Sequence, residues 1–228
     1  MSEYLQQRTP AWLKARRGKL TASNAGAAVG LNPYCSPQQL FEQLTDKVPP
    51  FEGNICTRWG NTHEPNAIFE YSLMTKSRVE STGFWVHRHY KWLGGSPDGF
   101  VGETGVVEAK CPFSKKPYEK PPLYYYLQCN VLMEVTDRDF CDFVAWTPEL
   151  TRVIRFKRNR DCFEYLLPYY QQFAACINND MPPTQVTEED KERRRATVAK
   201  FMEGDIVLNA FSNPPTSDDA PESDVSTA

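Results

Sequence analysis

No run of apolar residues in this 228-residue chain is long enough to cross a bilayer, so a helical membrane span is not expected. The opening stretch, "MSEYLQQRTPAW", lacks the charged and apolar regions of a secretory signal, and an intracellular location is expected. No cysteine stands in a CxxC pair. The seven cysteines, at 35, 56, 111, 129, 141, 162 and 176, are odd in number and scattered, which argues against a disulfide framework or a zinc knuckle and for buried, reduced thiols. Histidine is scarce, and "THEP" is no HExxH metal motif because Ala67 stands where the second histidine would fall. His63, His87 and His89 therefore read as structural or surface residues. No internal repeat is present.

What the chain does contain is a globular composition, with 40 % hydrophobic and 13 % aromatic residues, enough for one domain with an ample core. Its net charge of −3 hides an asymmetry. From Phe201 onward there are six acidic residues and no Lys or Arg, leaving 26 basic against 23 acidic residues in the first 200. The basic residues gather in "KARRGK" (14–19), "KCPFSKKPYEK" (110–120), "RVIRFKRNR" (152–160) and "KERRR" (191–195). Such clusters suit phosphate contacts, and each alone also reads as a solvated face. A nucleic-acid partner is permitted by this balance and not required by it.

"TPAWLKARRGKLTASNAGAAVG" predicts a short helix, a break at Gly18, and a second helix capped by Thr21 or Ser23. "SPQQLFEQLTDK" predicts a helix with Ser36 as N-cap and Pro37 at the first helical position. After a loop at Pro49, Pro50 and Gly53, a helix is expected from about Glu64, with Ile68, Phe69 and Leu73 on its apolar side. "GFWVHRHYKWLGG" has strand character, "FVGETGVVEAKCP" reads as a hairpin, and "LYYYLQCNVLMEV" as a helix on the sheet. Two strands, "DFCDFVAWT" and "TRVIRFKR", flank a turn at Pro148–Glu149. An amphipathic helix follows, kinked or restarted at Pro168, then a charged helix around 187–203. The order implies an α/β layered domain. The final "SNPPTSDDAPESDVSTA" has the composition of a disordered tail.

The chemistry concentrates in "GGSPDGFVGETGVVEAKCP" (94–112). Side chains alternate along a strand, so Glu108 and Lys110 share a face while Val107 and Ala109 take the other. Asp98, in a Pro-Asp-Gly turn ten residues upstream of Glu108, can fold back beside it. Taken singly, the first pair describes a surface ion pair and the second feature ordinary turn chemistry. Together they suit a hard cation such as Mg²⁺, which takes oxygen ligands, keeps several waters and needs only one or two carboxylates. The Ala109 carbonyl offers a third oxygen, and Lys110 can orient or help deprotonate a water, or offset phosphate charge. Two carboxylates without clustered His or Cys fit zinc poorly.

"SPDG" followed by "VVEAKCP" resembles the active-site strands of PD-(D/E)XK nucleases, and the context resembles the lambda-exonuclease-like (YqaJ-type) viral recombinase nucleases. Four ordered blocks carry this: "WLKARRGKLTAS" (12–23), "RWGNTHEPNAIFEY" (58–71), "GSPDG…EAKCP" and "YLQCNVLM" (126–133). The resemblance implies a restriction-endonuclease-like core, a central mixed β-sheet flanked by helices, in one nuclease domain over residues 1–205 with an acidic tail at 206–228. It implies Asp98, Glu108 and the Ala109 carbonyl as metal ligands, Lys110 as catalytic lysine, Glu64 as an additional acid able to hold a second metal or its water, and Gln128 as a helix glutamine reaching the site. Arg16 and Ser23 match groups that bind a terminal 5′-phosphate, with Arg17 the alternative to Arg16.

The implied activity is a Mg²⁺-dependent 5′→3′ exonuclease on double-stranded DNA ends, with Mn²⁺ able to substitute, acting in viral or phage recombination or replication in host cytoplasm or nucleus. A single-strand annealing protein is the implied partner, and the assembly is a trimeric ring or a monomer. Two other functions compete: a structure-specific endonuclease on the same core, and a non-catalytic module that binds nucleic-acid ends. The acidic tail has no counterpart in the resemblance, and the cysteine spacing does not suggest the iron–sulfur cluster of some relatives.

Overall fold

The computed structural model describes residues 5–212 except 115, 117 and 119. Its elements run α1 (Pro10–Arg16), β1 (Leu20–Thr21), α2 (Ala25–Ala28), α3 (Pro37–Leu44), α4 (Ile55–Thr75), β2 (Val79–Glu80), β3 (Trp85–Val86), β4 (Leu93–Gly95), β5 (Gly99–Val101), β6 (Gly105–Lys110), α5 (Leu123–Thr136), β7 (Phe140–Trp146), β8 (Thr151–Lys157), α6 (Arg160–Asn178), α7 (Glu188–Asp205) and β9 (Ile206–Ser212). A six-stranded mixed sheet has the order β2-β5-β6-β7-β8-β9, and a three-stranded sheet the order β1-β4-β3. This is the expected α/β core.

The hairpin β5–β6 pairs antiparallel, with Gly99 opposite Val107, while β6 and β7 run parallel, with Glu108 opposite Phe143. A parallel pair cannot be joined by a tight turn, and α5 supplies the crossover. It lies on the sheet face that carries Val106, Cys141, Phe143, Ile154 and Phe156, and it is buried along most of its length. The opposite face, with Val107, Ala109, Val144 and Val153, packs on Ala67 and Tyr71 of α4. The strand that bears Glu108 and Lys110 is thus covered on both sides. Gly95 lets α5 approach, since a Cβ there would come within 2.8 Å of Leu132 and 3.1 Å of Ala22.

Several local expectations hold. Ser36 caps α3 in a full capping box with Gln39, and Pro37 sits in its first turn. The β7–β8 turn closes between Thr147 and Leu150. No disulfide forms among the seven cysteines, although Cys56 is exposed and Cys35 and Cys176 are half-buried.

Four expectations are corrected. Residues 20–21 form β1, which pairs with Leu93 and Gly94, and a 3₁₀ turn at Ala22–Asn24 precedes α2. Neither Thr21 nor Ser23 caps a helix, because their hydroxyls bond each other at 3.1 Å. The second correction is to α4, which begins at Ile55, capped by Asn54, rather than near Glu64. It turns Ala67 and Tyr71 inward and leaves Phe69 and Leu73 exposed. The reason is polar: the Tyr71 hydroxyl donates to buried Asp142 at 2.6 Å, and Asp142 is gripped by Arg155. Third, α6 does not restart at Pro168: it is one helix, and the exposed position of Pro168 puts the missing hydrogen bond on the solvent side.

The last correction is to the domain boundary, since residues 206–212 are not tail: β9 pairs antiparallel with β8 along the sheet edge. The apolar "IVLNA" suits a strand, and Asp205 just before it is buried, accepting from Tyr126 and Asn159. The rest of the expected tail, 213–228, lies outside the described residues.

Candidate active site

Three elements meet at the carboxylates. The β5–β6 ladder brings Asp98 back against β6: its backbone N–H donates to Val107 O at 3.1 Å, and its Oδ2 accepts from Ala109 N–H at 2.8 Å. Glu108, only 2 % exposed, takes two donors on one oxygen, Lys110 Nζ and Gln128 Nε2, each at 2.5 Å from Oε1. Its other oxygen, Oε2, is buried and has no hydrogen-bond partner. An unpartnered carboxylate oxygen in the interior is costly unless something positive completes it.

The electrostatics agree. Burial, then the neighbouring Glu108 and Glu64 charges, hold the Asp98 carboxyl well above its ordinary range. Burial likewise raises Glu108, against the lowering pull of Lys110. Burial alone would lower the Lys110 ammonium, but Glu108 and Asp98 outweigh it and raise it. The site has more negative charge than it can comfortably hold, with one ammonium to balance it.

Glu64, Ala109 and Lys110 line one cleft of about 410 Å³, together with Tyr125 and Tyr118. Glu64 enters from α4, where its Oε2 accepts from Arg8 at 2.6 Å. Among the described residues no group of three or more His, Cys, Asp or Glu side chains stands ready to hold a metal. A cation here would complete its shell with backbone oxygen, water or substrate, as Mg²⁺ does and structural zinc does not. The donor set and the orphaned Glu108 oxygen fit such an ion.

A second polar cluster is formed by Trp12, Arg16, Thr21, Ser23 and Ser96. The Arg16 guanidinium sits 4.2 Å above the Trp12 ring and 3.5 Å from Thr21 Oγ1, and Thr21 in turn contacts Ser23. Trp12 Nε1 donates to Ser96 Oγ at 2.8 Å, two residues before Asp98. Burial lowers Arg16 to about 10, partly offset by Glu108, so the arginine keeps its charge at neutral pH and feels the Glu108 carboxylate. Arg17, the alternative phosphate ligand, is exposed at the C-terminal cap of α1 and joins none of these contacts.

The structure therefore brings together Asp98, Glu108, Ala109, Lys110, Gln128 and Glu64, with Arg16 and Ser23 next to them, and leaves Arg17 apart. Sequence reasoning missed Ser96, Thr21 and Arg8 at the site; Tyr124, Tyr125 and Tyr126 read from the sequence as possible base-stacking residues or as core, and the Tyr125 ring lies 5.1 Å from Lys110 Nζ. Ser96 had a signal in its place beside the Pro-Asp-Gly turn. Arg8 had none, because its partner is 56 residues away.

Fold and site together define a PD-(D/E)XK-type domain. Residues 11–139 match the YqaJ-like viral recombinase domain, and the chain belongs to that family. It is similar to an uncharacterized protein of Acanthamoeba polyphaga mimivirus, 29 % identical over 157 residues, covering 61 % of this chain and 29 % of that protein. A protein of African swine fever virus is 27 % identical over 155 residues, covering 54 % of this chain and 44 % of that protein. The chain spans less than half the length of these curated relatives. Among solved structures it is similar to the alkaline exonuclease of Laribacter hongkongensis, with 26 % identity, a TM-score of 0.62, and 84 % of this chain and 99 % of that one covered. A phage-related exonuclease from Haemophilus somnus has a similar fold at 13 % identity and a TM-score of 0.52, covering 78 % and 96 %. No described helix is long and apolar enough to cross a membrane.

Proposed function

We propose that this chain is a Mg²⁺-dependent exonuclease that degrades one strand of linear double-stranded DNA in the 5′→3′ direction, in viral or phage recombination or replication. One observation carries the reading. Glu108 is buried beside Asp98 with Oε1 saturated by Lys110 and Gln128 and Oε2 left open, a carboxylate built to grip a cation. The alkaline exonuclease likeness supports the same class of chemistry.

Asp98, Glu108 and the Ala109 carbonyl would hold the ion, with Glu64 able to support a second. Bound there, Mg²⁺ or Mn²⁺ supplies charge neutralisation at the scissile phosphate and lowers the pKa of an attacking water. Gln128 fixes the Glu108 carboxylate so that its open oxygen stays directed to the ligand. Lys110, held protonated by its carboxylate neighbours, places a positive charge where the phosphate gains negative charge. Arg16, mounted on Trp12 and backed by the Thr21 and Ser23 hydroxyls, suits a terminal 5′-phosphate, and its closeness to Glu108 favours attack near the strand end.

The test is digestion of 5′-phosphorylated linear duplex with Mg²⁺. Mononucleotides should be released from the 5′ end, closed circular DNA should survive, and Lys110→Ala should be inactive. Cutting of the circle, or a Lys110→Ala variant as active as the parent protein, would refute the reading.

A further inference from the structure

A line of tyrosines leaves the catalytic cleft. Tyr118 and Tyr125 line the cleft itself, their ring centroids 5.6 Å apart. Tyr125 and Tyr124 follow at 4.4 Å, and Tyr124 meets Tyr34 at 6.2 Å. Tyr126, next along α5, turns into the core and takes no part. Beyond Tyr124 a groove of about 560 Å³ opens, lined by Asn32, Pro33, Leu123, Tyr124, Lys191 and Arg195.

The inner rings, Tyr118 and Tyr125, also rest on the core at Phe143, and two details mark the outer part of the line as a surface for a ligand. Tyr34 is 82 % exposed, yet its mount is fixed, because its N–H donates to Asn32 Oδ1 at 2.9 Å and Pro33 precedes it. A large ring set out in water, with Tyr124 as its ring neighbour at 6.2 Å, gains little from the protein's own packing. The base of the line is also fixed. Gly26 of α2 touches the Tyr124 backbone so closely that a Cβ would come within 2.4 Å of Tyr124 Cβ, which locks the start of α5.

We propose that Tyr125, Tyr124 and Tyr34 form a stacking track for unpaired nucleotides of the substrate strand, running from the cleft into the groove beside α7. This rests on the nuclease reading above. Aromatic platforms bind single strands because every base has a π-face, and they do so with little regard to sequence. The charges at the outer end are nearly balanced, since Lys191 pairs with Glu188 and Arg195 with Glu192. Stacking therefore supplies most of the binding, and few counterions are released.

The experiment measures binding of fluorescent oligothymidylates of four, eight and twelve nucleotides by the whole chain, with Ca²⁺ in place of Mg²⁺. Affinity should rise with length, and Tyr34→Ala should weaken twelve-nucleotide binding roughly tenfold, as should Tyr124→Ala. Tyr34→Phe should bind like the parent protein, because the ring and not the hydroxyl does the work. The salt dependence should be shallow, with a slope of about −1. Parent-like binding by Tyr34→Ala would overturn the track, and because that side chain is solvent-exposed, misfolding does not confuse the result. A steep salt slope that Tyr34→Ala leaves unaltered would overturn it too. The same preparations given Mg²⁺ and phosphorylated duplex keep the two proposals apart: absence of nucleotide release by the parent protein sinks the nuclease reading, whereas unchanged oligothymidylate affinity in Tyr34→Ala sinks only the track.

Discussion

Gln128 Nε2 and Glu108 Oε1 lie 2.5 Å apart across the interface of α5 and β6. The bond does two things at once. With Lys110 it saturates one carboxylate oxygen, and it fixes the rotamer that leaves Oε2 buried without a partner. One oxygen of this buried glutamate is held and the other has no partner, as the proposed cation site requires.

Asp98→Asn separates activity from stability. The amide keeps an oxygen for the Ala109 N–H and removes a charge that burial and Glu108 both oppose. Turnover should fall by at least about 10³-fold while unfolding free energy rises by about 1 kcal/mol. Nucleotide release and a thermal melt on the same preparation check both signs.

Cation binding should protect the fold increasingly as pH rises. Asp98 and Glu108 have folded-state pKa values above their ordinary 3.8 and 4.5, so the folded state holds these protons more tightly than the unfolded chain does. Their contribution is complete below those ordinary values and is lost as pH climbs through the raised ones. On the proposed function, a divalent cation would replace those protons. The Mg²⁺-induced rise in melting temperature should therefore be small near pH 5 and larger near pH 8. A shift independent of pH would contradict the carboxylate pair as its source.

End recognition should depend on Arg16 and not on its neighbour. Arg16→Ala should lower the preference for 5′-phosphorylated over 5′-hydroxyl duplex by roughly ten- to a hundredfold, the worth of a hydrogen bond to a charged group. Arg17→Ala, altering an exposed side chain, should leave that ratio within about twofold. Initial rates on the two substrates decide it.

Tyr126→Phe should destabilise without touching the chemistry. The hydroxyl donates to Asp205 Oδ2 at 2.5 Å, and Asp205 is 1 % exposed at the junction of α7 and β9. Removing the donor leaves a buried carboxylate short of one partner, worth about 1–3 kcal/mol. Urea denaturation should show the loss with an unchanged slope.

The parts of the site legible in the sequence are those set by local spacing. Glu108 and Lys110 share a strand face because the period is two, and Asp98, just before β5, is brought back beside β6 because the β5–β6 hairpin turns at residues 102–104. Parts joined by long contacts were not legible. The inward face of α4 was misread because bulk suggested Phe69 and Leu73, whereas the sheet required a small Ala67 and a Tyr71 hydroxyl aimed at Asp142. Likewise Ile206–Ser212 read as tail, since an edge strand acquires its partner only when β8 stands beside it.

The amino-acid order by itself determined the β5–β6 hairpin, its carboxylate and lysine residue types, and the helix on the sheet, because each follows from backbone periodicity over a few residues. Tertiary structure alone decided that Glu108 is buried with one oxygen open, that Arg16 shares its field, and that Tyr34 extends a line of rings begun at Tyr125. Burial and field strength depend on which distant segments exclude water from a side chain, and no local pattern encodes that.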